Sequence, residues 1–161
     1  MAFLYSKDEI VNYENNIQFY IIHNPKDRRG GTMDKVHDKD NFYKIYDWAG
    51  SDRNKLPWAH DEPTLFLRDI VAQRGKPGKA LDIGCGAGTD SLYLAGEDWD
   101  VTSLDFMPAA LEMTRARAAA AGLELTAIEA DVTEWEPTDK FDLVLDHGLL
   151  HNMNPDRYPL Y

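Results

Sequence analysis

A short apolar run followed by three alternating glycines is the part of the chain best suited to chemistry. Residues 81–83 have the pattern of a buried strand, Gly84, Gly86 and Gly88 follow, and a helical pattern begins at Thr89. Because glycine lacks a Cβ, a ligand can approach bare backbone here, and the N-terminus of the next helix attracts polar groups. A dinucleotide fingerprint of the G-x-G-x-x-G type needs a small residue where Thr89 stands. We therefore expect a ligand at this turn and disfavour a nicotinamide-dependent oxidoreductase.

Acidic residues accompany four consecutive predicted strands, near residues 80–83, 101–105, 125–130 and 141–145. They are Asp82, Asp105, Asp131 and Asp146. In an open parallel sheet, ligands bind at the carboxyl ends of the strands, so we expect these acids to share one edge. An acid at the end of the second strand, about 20 residues beyond the glycine turn, can accept both hydroxyls of a ribose. Asp82 fits equally well a purely structural role, hydrogen-bonded to amides of the turn.

In this order, over roughly residues 57–155, the motifs resemble those of class I S-adenosylmethionine-dependent methyltransferases. The resemblance implies that residues 84–88 wrap the methionine part of the cofactor and that Asp105 binds its ribose. It also implies that Asp131 and Val132 meet the adenine edge and that Asp146 and His147 close the floor below the methyl group. The cofactor-binding residues expected on this basis are Trp58, Asp82, Gly84, Cys85, Gly86, Gly88, Asp105, Phe106, Asp131, Val132 and Asp146.

The stretch from Leu56 to Pro63 is similar to the Pro-Trp segment of small-molecule members, such as the thiopurine, thiol and tellurite methyltransferase-like group. Glu62 stands where those relatives often have glycine. Prolines on both sides stiffen this loop, so we expect Trp58 to lie beside the cofactor. We assign Tyr43, Tyr46 and Trp48 to the core.

Two histidines near the fourth strand, His147 and His151, are candidates for a catalytic base because imidazole titrates close to neutral pH. A histidine in such a loop also often only packs or caps. A thiolate or chalcogenide acceptor needs no base, whereas a hydroxyl or an amine does. The acceptor therefore stays open, and we predict no metal ligand.

The charge of the chain argues against nucleic acid as a substrate. Residues 61–161 carry the whole net charge of −11, while residues 1–60 are balanced. An acidic domain repels a phosphate backbone, which favours a small-molecule acceptor. One cysteine, Cys85, excludes an internal disulfide framework and fits a reducing, cytoplasmic location. No apolar run is long enough to span a membrane.

The predicted fold class is α/β, a Rossmann-like doubly wound parallel sheet in the order 3-2-1-4, because strands and helices alternate after residue 62. We expect an aromatic-rich arm or lid at residues 1–55 and an S-adenosylmethionine-binding domain at 56–161. Helices are predicted to begin at Asn41, to run from about Leu65 to Gly75, and to cover Pro108 to Ala121. Residues 23–40 read as a loop, and residues 17–22 are too short to assign.

The chain lacks room for the further strands of this family, which leaves the apolar fourth strand at the margin of the predicted sheet. Few proteins leave such an edge bare. We expect further strands, a partner chain or self-association to cover it. We therefore predict a small-molecule methyltransferase that converts S-adenosylmethionine to S-adenosylhomocysteine. The alternative is a non-catalytic methyltransferase-like domain that binds the nucleoside or a partner.

Overall fold

The computed structural model describes residues 13–14, 17–21 and 39–161. The strands are β1 (Tyr13–Glu14), β2 (Ile17–Ile21), β3 (Lys79–Ile83), β4 (Asp100–Asp105), β5 (Thr126–Glu129) and β6 (Leu143–Asp146). The helices are α1 (Lys39–Ala49), α2 (Leu65–Arg74), α3 (Thr89–Gly96) and α4 (Pro108–Ala121), with 3-10 turns at Arg53–Lys55, Leu150–Asn152 and Pro155–Leu160.

The strands form one sheet in the order β1-β2-β6-β3-β4-β5. Strands β5, β4, β3 and β6 are parallel neighbours, so the predicted order 3-2-1-4 is confirmed. Helices α3 and α4 make the crossovers from β3 to β4 and from β4 to β5. All four residues of β6 are buried, as expected for a strand covered on both faces. The carboxyl ends of these strands therefore meet at one edge.

The edge of β6 is covered by the chain's own N-terminal region. Strand β2 runs parallel to β6, with Gln18 opposite Leu143 and Ile21 opposite Asp146, and β1 pairs antiparallel with β2. The expected cover is therefore present, but the expectation of C-terminal strands or a partner chain at this edge is wrong for the described fold. Residues 17–21, left unassigned above, form a strand because β6 offers unpaired backbone groups there.

Local signals place four of the helix ends. Pro108 opens α4 at a position where its missing N–H costs nothing, and Gly122 ends that helix in a left-handed conformation. The hydroxyl of Thr64 accepts a hydrogen bond from the Leu67 amide at 3.2 Å and caps α2, which ends before Gly75. Helix α1 begins at Lys39, so the expected start at Asn41 is wrong by two residues. Most of the predicted 23–40 loop lies outside the described residues.

Alternate residues of the strands pack on the two faces of the sheet. Ala80, Leu143 and Leu145 face α2 and α3, where Leu67 and Leu94 are fully buried. Leu81, Ile83, Leu104 and Val144 form the core of the opposite face. Helix α1 packs through Tyr46 and Ala49 against residues of the α4 region. This packing holds α1 over the carboxyl edge of the sheet.

No helix in the described part of the chain combines the length and apolar character needed to cross a membrane. The cytoplasmic location stays a prediction.

Candidate functional site

A cavity of about 390 Å³ opens at the carboxyl ends of β3, β4, β5 and β6. Helix α1, the Pro57–His60 segment, the glycine turn and the loop after β6 form its walls. The sequence-predicted residues that line it are Trp58, Asp82, Gly84, Cys85, Gly86, Asp105, Phe106, Asp131, Val132 and His147. The fold thus brings ten separately predicted residues to one space. Their roles in binding or catalysis stay predictions.

The glycine turn is shaped by close packing at two of its three glycines. Gly84 has φ 70°, and a Cβ there would lie 2.6 Å from Leu149. Gly88 has φ 77°, and its Cβ would lie 2.6 Å from Thr114 of α4. A Cβ on Gly86 would lie 3.7 Å from its nearest neighbours, which are atoms of Trp58 and Tyr46. Gly84 and Gly88 therefore allow close packing, and Gly88 is not among the residues that line the cavity, whereas a Cβ on Gly86 would make only ordinary van der Waals contacts.

Asp105 ends β4 and ties the glycine turn to the start of α4. One carboxylate oxygen accepts the Gly86 amide and the other accepts the Met107 amide, each at 2.9 Å. Burial raises the pKa of Asp105 to about 6, although these amide hydrogen bonds oppose the shift. Each carboxylate oxygen keeps a second lone pair. Asp105 therefore organises the turn and still has acceptor capacity toward the cavity.

Asp82 is held in a buried chain of polar groups below the cavity. The Ser91 hydroxyl donates to Asp82 at 2.5 Å, and the Ser103 hydroxyl donates to Ser91 at 2.8 Å. Burial, followed by the nearby Asp90 carboxylate, raises the pKa of Asp82 to about 7. This chain links β3, α3 and β4, so Asp82 has a structural role alongside its place in the cavity wall, but its hydrogen-bond partner is the Ser91 hydroxyl and not the turn amides that were expected.

Asp131, at the cavity rim, forms ion pairs with cations from two distant parts of the chain. Lys39 of α1 lies 2.6 Å from its carboxylate and Arg157 lies 2.9 Å from it. Burial alone would raise its pKa, but hydrogen bonds from Lys39, Thr133 and Arg157 outweigh this effect and lower the pKa. Sequence reasoning missed both cations because they lie 92 and 26 residues away from Asp131 in the chain. Val132 follows in the cavity wall.

Asp146, expected with His147 to floor the methyl site, is buried and is not among the residues that line the cavity. Its carboxylate accepts the amides of Leu149 and Leu150 at 2.7 and 3.0 Å and the Tyr161 hydroxyl at 2.7 Å. The side chain is 1% exposed. Asp146 therefore shapes the loop after β6, and that loop presents His147 and Leu149 to the cavity.

Aromatic side chains form the outer wall of the cavity. The Trp58 ring lies 5.5 Å from Phe42 and 5.7 Å from Tyr46, measured between ring centroids. Phe106 meets Phe42 edge to face at 5.7 Å. The expected place of Trp58 beside the cavity is observed. Tyr46, which we assigned to the core, is buried there and also lines the cavity, as does Phe42. The core assignment of Tyr43 and Trp48 is wrong, because both are exposed.

Cys85 lines the cavity, but it is a poor nucleophile in this setting. Burial and the neighbouring Asp105 carboxylate raise the pKa of the thiol well above its usual value. The thiol therefore stays protonated at neutral pH.

His147 joins two residues that sequence reasoning did not select, His60 and Asp90. His147 Nδ1 lies 2.6 Å from Asp90 Oδ2 and 3.2 Å from His60 Nε2. Burial would lower the pKa of His147, but its hydrogen bond to Asp90 raises it overall, whereas burial lowers the pKa of His60. The signal available in the sequence was Asp90 in the first turn after the glycines. The side chain of His151 lies outside what the structure describes.

Residues 80–160, half of the chain, match the family model described as a methyltransferase domain. This chain belongs to that family. The predicted class, the S-adenosylmethionine-dependent methyltransferases with a Rossmann-like fold, is thereby confirmed.

Three similar proteins illustrate the match. A probable thiol methyltransferase 2 of Arabidopsis thaliana is 31% identical over 108 residues, which are 65% of this chain and 48% of that protein. A solved structure concerned with converting a disulfide bond into a thioacetal group during echinomycin biosynthesis is 34% identical, with a TM-score of 0.65. The 1,6-didemethyltoxoflavin-N1-methyltransferase of Burkholderia thailandensis, solved with its substrate and S-adenosylhomocysteine, is 26% identical, with a TM-score of 0.60.

Both structural matches cover 76% of this chain and 52% of the other chain. The chain therefore spans about half the length of the proteins that it matches.

Proposed function

We propose that this chain binds S-adenosylmethionine in the cavity and supports methyl transfer to a small-molecule acceptor. The observation that carries the proposal is one cavity wall that combines the glycine turn, Asp105 and the Asp131–Val132 pair. These residues lie at the carboxyl ends of three neighbouring parallel strands, β3, β4 and β5, and ligands of open α/β sheets bind at such ends. S-adenosylmethionine is the cofactor of this family.

The residues present fit this cofactor. Gly84 and Gly86 line the cavity and carry no side chain, so a ligand can approach the backbone of the turn. Asp105 retains lone pairs for the ribose hydroxyls after accepting two amides. At the adenine end, Val132 offers an apolar contact, and Lys39 and Arg157 fix the carboxylate of Asp131.

When bound, the cofactor supplies an activated methyl group on a cationic sulfur. This chain's part is to align the two reactants and to exclude water. The faces of Trp58, Phe42 and Tyr46 favour a cation in the cavity, and the buried carboxylates of Asp82 and Asp105 act in the same direction. Residues of helix α1 and of the Pro57–His60 segment line the cavity, which supports a lid role for them.

The acceptor would lie on the side of the cavity that holds His60 and His147. Asp90 orients the His147 ring through Nδ1. A small acceptor is supported by the confined volume and by relatives named for a thiol and for 1,6-didemethyltoxoflavin. The net charge of −11 disfavours a nucleic acid in this role.

Calorimetric titration of the full chain with S-adenosylhomocysteine and, separately, with NADH tests the cofactor. We expect S-adenosylhomocysteine to bind at least tenfold more tightly. Equal or tighter binding of NADH would refute the assignment.

Methyl transfer is then tested with labelled S-adenosylmethionine and a panel of thiols, phenols and amines. Transfer to at least one of them supports the enzyme. Tight binding of S-adenosylhomocysteine without turnover of any of them would favour the non-catalytic alternative.

A further inference from the structure

Three metal-ligating side chains converge on the acceptor side of the cavity. Asp90 Oδ2 lies 2.6 Å from His147 Nδ1 and 3.7 Å from His60 Nε2, and the two histidine nitrogens are 3.2 Å apart. We call His60, Asp90 and His147 the histidine–aspartate cluster. Asp90 is 4% exposed, so this carboxylate is shielded from water.

Hydrogen bonding satisfies this cluster incompletely. His147 Nδ1 can share only one hydrogen bond, and its contact with Asp90 uses it. His60 Nε2 nevertheless also faces His147 Nδ1. Within the described residues, Asp90 Oδ1 and His60 Nδ1 are buried without any hydrogen-bond partner. Buried polar atoms are rarely left unpaired, because each one costs about 1–3 kcal/mol. The unpartnered Asp90 Oδ1 and His60 Nδ1 are the far atoms of their side chains and would not be ligands; a shared ligand would instead resolve the facing lone pairs of His147 Nδ1, Asp90 Oδ2 and His60 Nε2.

We propose that the histidine–aspartate cluster binds a divalent transition-metal ion of the Zn²⁺ type. Bonds of about 2.0–2.1 Å to nitrogen and oxygen place tetrahedral ligands about 3.3 Å apart. The three separations in the cluster, 2.6, 3.2 and 3.7 Å, bracket this value. Two imidazoles and one carboxylate suit Zn²⁺, Co²⁺ or Fe²⁺, whereas Mg²⁺ and Ca²⁺ prefer oxygen ligands. This proposal departs from the expectation of no metal.

The cluster is held by three rigid elements. The carbonyl oxygen of His60 accepts the Thr89 hydroxyl at 2.8 Å and the Arg53 guanidinium at 3.2 Å. Asp90 lies in the first turn of α3. His147 follows β6, in the loop that the buried Asp146 fixes. The ligand atoms are therefore positioned in advance, which reduces the entropy lost on binding the ion.

Three protein ligands leave a fourth position of a tetrahedral ion for water or substrate. All three residues line the cavity, so this position would face the acceptor side. Bound there, a thiolate sulfur or a phenolate oxygen of the acceptor would be stabilised as an anion. This consequence rests on the proposed function, whereas metal binding itself does not.

The test is calorimetry of the full, chelator-treated chain with Zn²⁺ alone, repeated with Mg²⁺. We expect one Zn²⁺ per chain with a Kd in the micromolar range or tighter, and no comparable binding of Mg²⁺. Asp90→Asn, His60→Gln and His147→Gln should each weaken Zn²⁺ binding at least tenfold. Asp61→Asn is the matched control, because this exposed carboxylate next to His60 lies outside the cluster.

A second readout is the visible spectrum of the Co²⁺-loaded chain, which should show a d–d band that Asp90→Asn alters and Asp61→Asn preserves. Zn²⁺ affinity unchanged in all three cluster variants, or absence of stoichiometric binding, would overturn the proposal. Because His60 is partly exposed, His60→Gln should fold even where Asp90→Asn does not. S-adenosylhomocysteine affinity, measured on the same samples, separates failure of the metal site from failure of the cofactor assignment.

Discussion

Asp105 provides the sharpest test of the cofactor site. Its two carboxylate oxygens hold the amides of Gly86 and Met107, and its remaining lone pairs are available to a ribose diol. Hydrogen bonds to a charged group contribute about 1.5–3 kcal/mol. Asp105→Ala should therefore weaken S-adenosylhomocysteine binding roughly 10- to 150-fold, since each 1.4 kcal/mol is a factor of about ten.

The pH dependence of binding gives an independent measure. Burial raises the pKa of Asp105 to about 6. A ligand that binds the ionised carboxylate loses affinity as the pH falls through this pKa. At pH 5 only about one molecule in eleven is ionised, so Kd should rise about tenfold between pH 7.5 and pH 5. Asp105→Asn cannot ionise and should remove this dependence.

The assay is calorimetric titration of wild type, Asp105→Ala, Asp105→Asn and Glu129→Gln at both pH values. Glu129 is a suitable control because it is exposed and lies opposite Asp105 in the β4–β5 register. It should retain wild-type affinity and the wild-type pH slope. An Asp105→Asn variant with the wild-type Kd and the same slope would refute the ribose assignment, because the slope would then belong to another group.

Three further predictions concern the frame around the site. Gly88→Ala should lower the free energy of unfolding by about 1–3 kcal/mol in thermal melts, because a Cβ there would lie 2.6 Å from Thr114 and the backbone is left-handed. Gly96→Ala is the control and should not lower it, because no atom lies within 4 Å of a Cβ at that position. Equal melting temperatures of the two variants would contradict the packing at Gly88. Tyr161→Phe should lower the melting temperature because it removes the hydroxyl that donates to Asp146 at 2.7 Å; the exposed Tyr158→Phe is its control, and identical melts would show that this hydrogen bond contributes nothing. A chain that begins at Lys39 should self-associate in light scattering because it uncovers the β6 edge; a monomer with an unchanged melting temperature would contradict this role of β2.

Features that depend on neighbours in sequence were predictable. The glycine turn, the acids near the strand ends and the Pro108–Gly122 punctuation of α4 rest on backbone conformation and on periodicity within a few residues. The parallel order of the four strands followed from their alternation with helices, because right-handed crossovers leave few topologies. With these local features, ten of the residues that line the cavity were predicted from the sequence.

Features that depend on the approach of distant segments were decided by tertiary structure. Strand β2 was too short to assign alone and became a strand by pairing with β6, more than 120 residues later. His60 and His147 are 87 residues apart, and only the packing of the Pro57–His60 segment on α3 places both beside Asp90. Asp146 resembled the other strand-end acids in sequence, but its carboxylate is buried and accepts hydrogen bonds from nearby amides and from Tyr161. Sequence spacing determines which face of an element a side chain occupies, whereas its partners depend on which elements pack together.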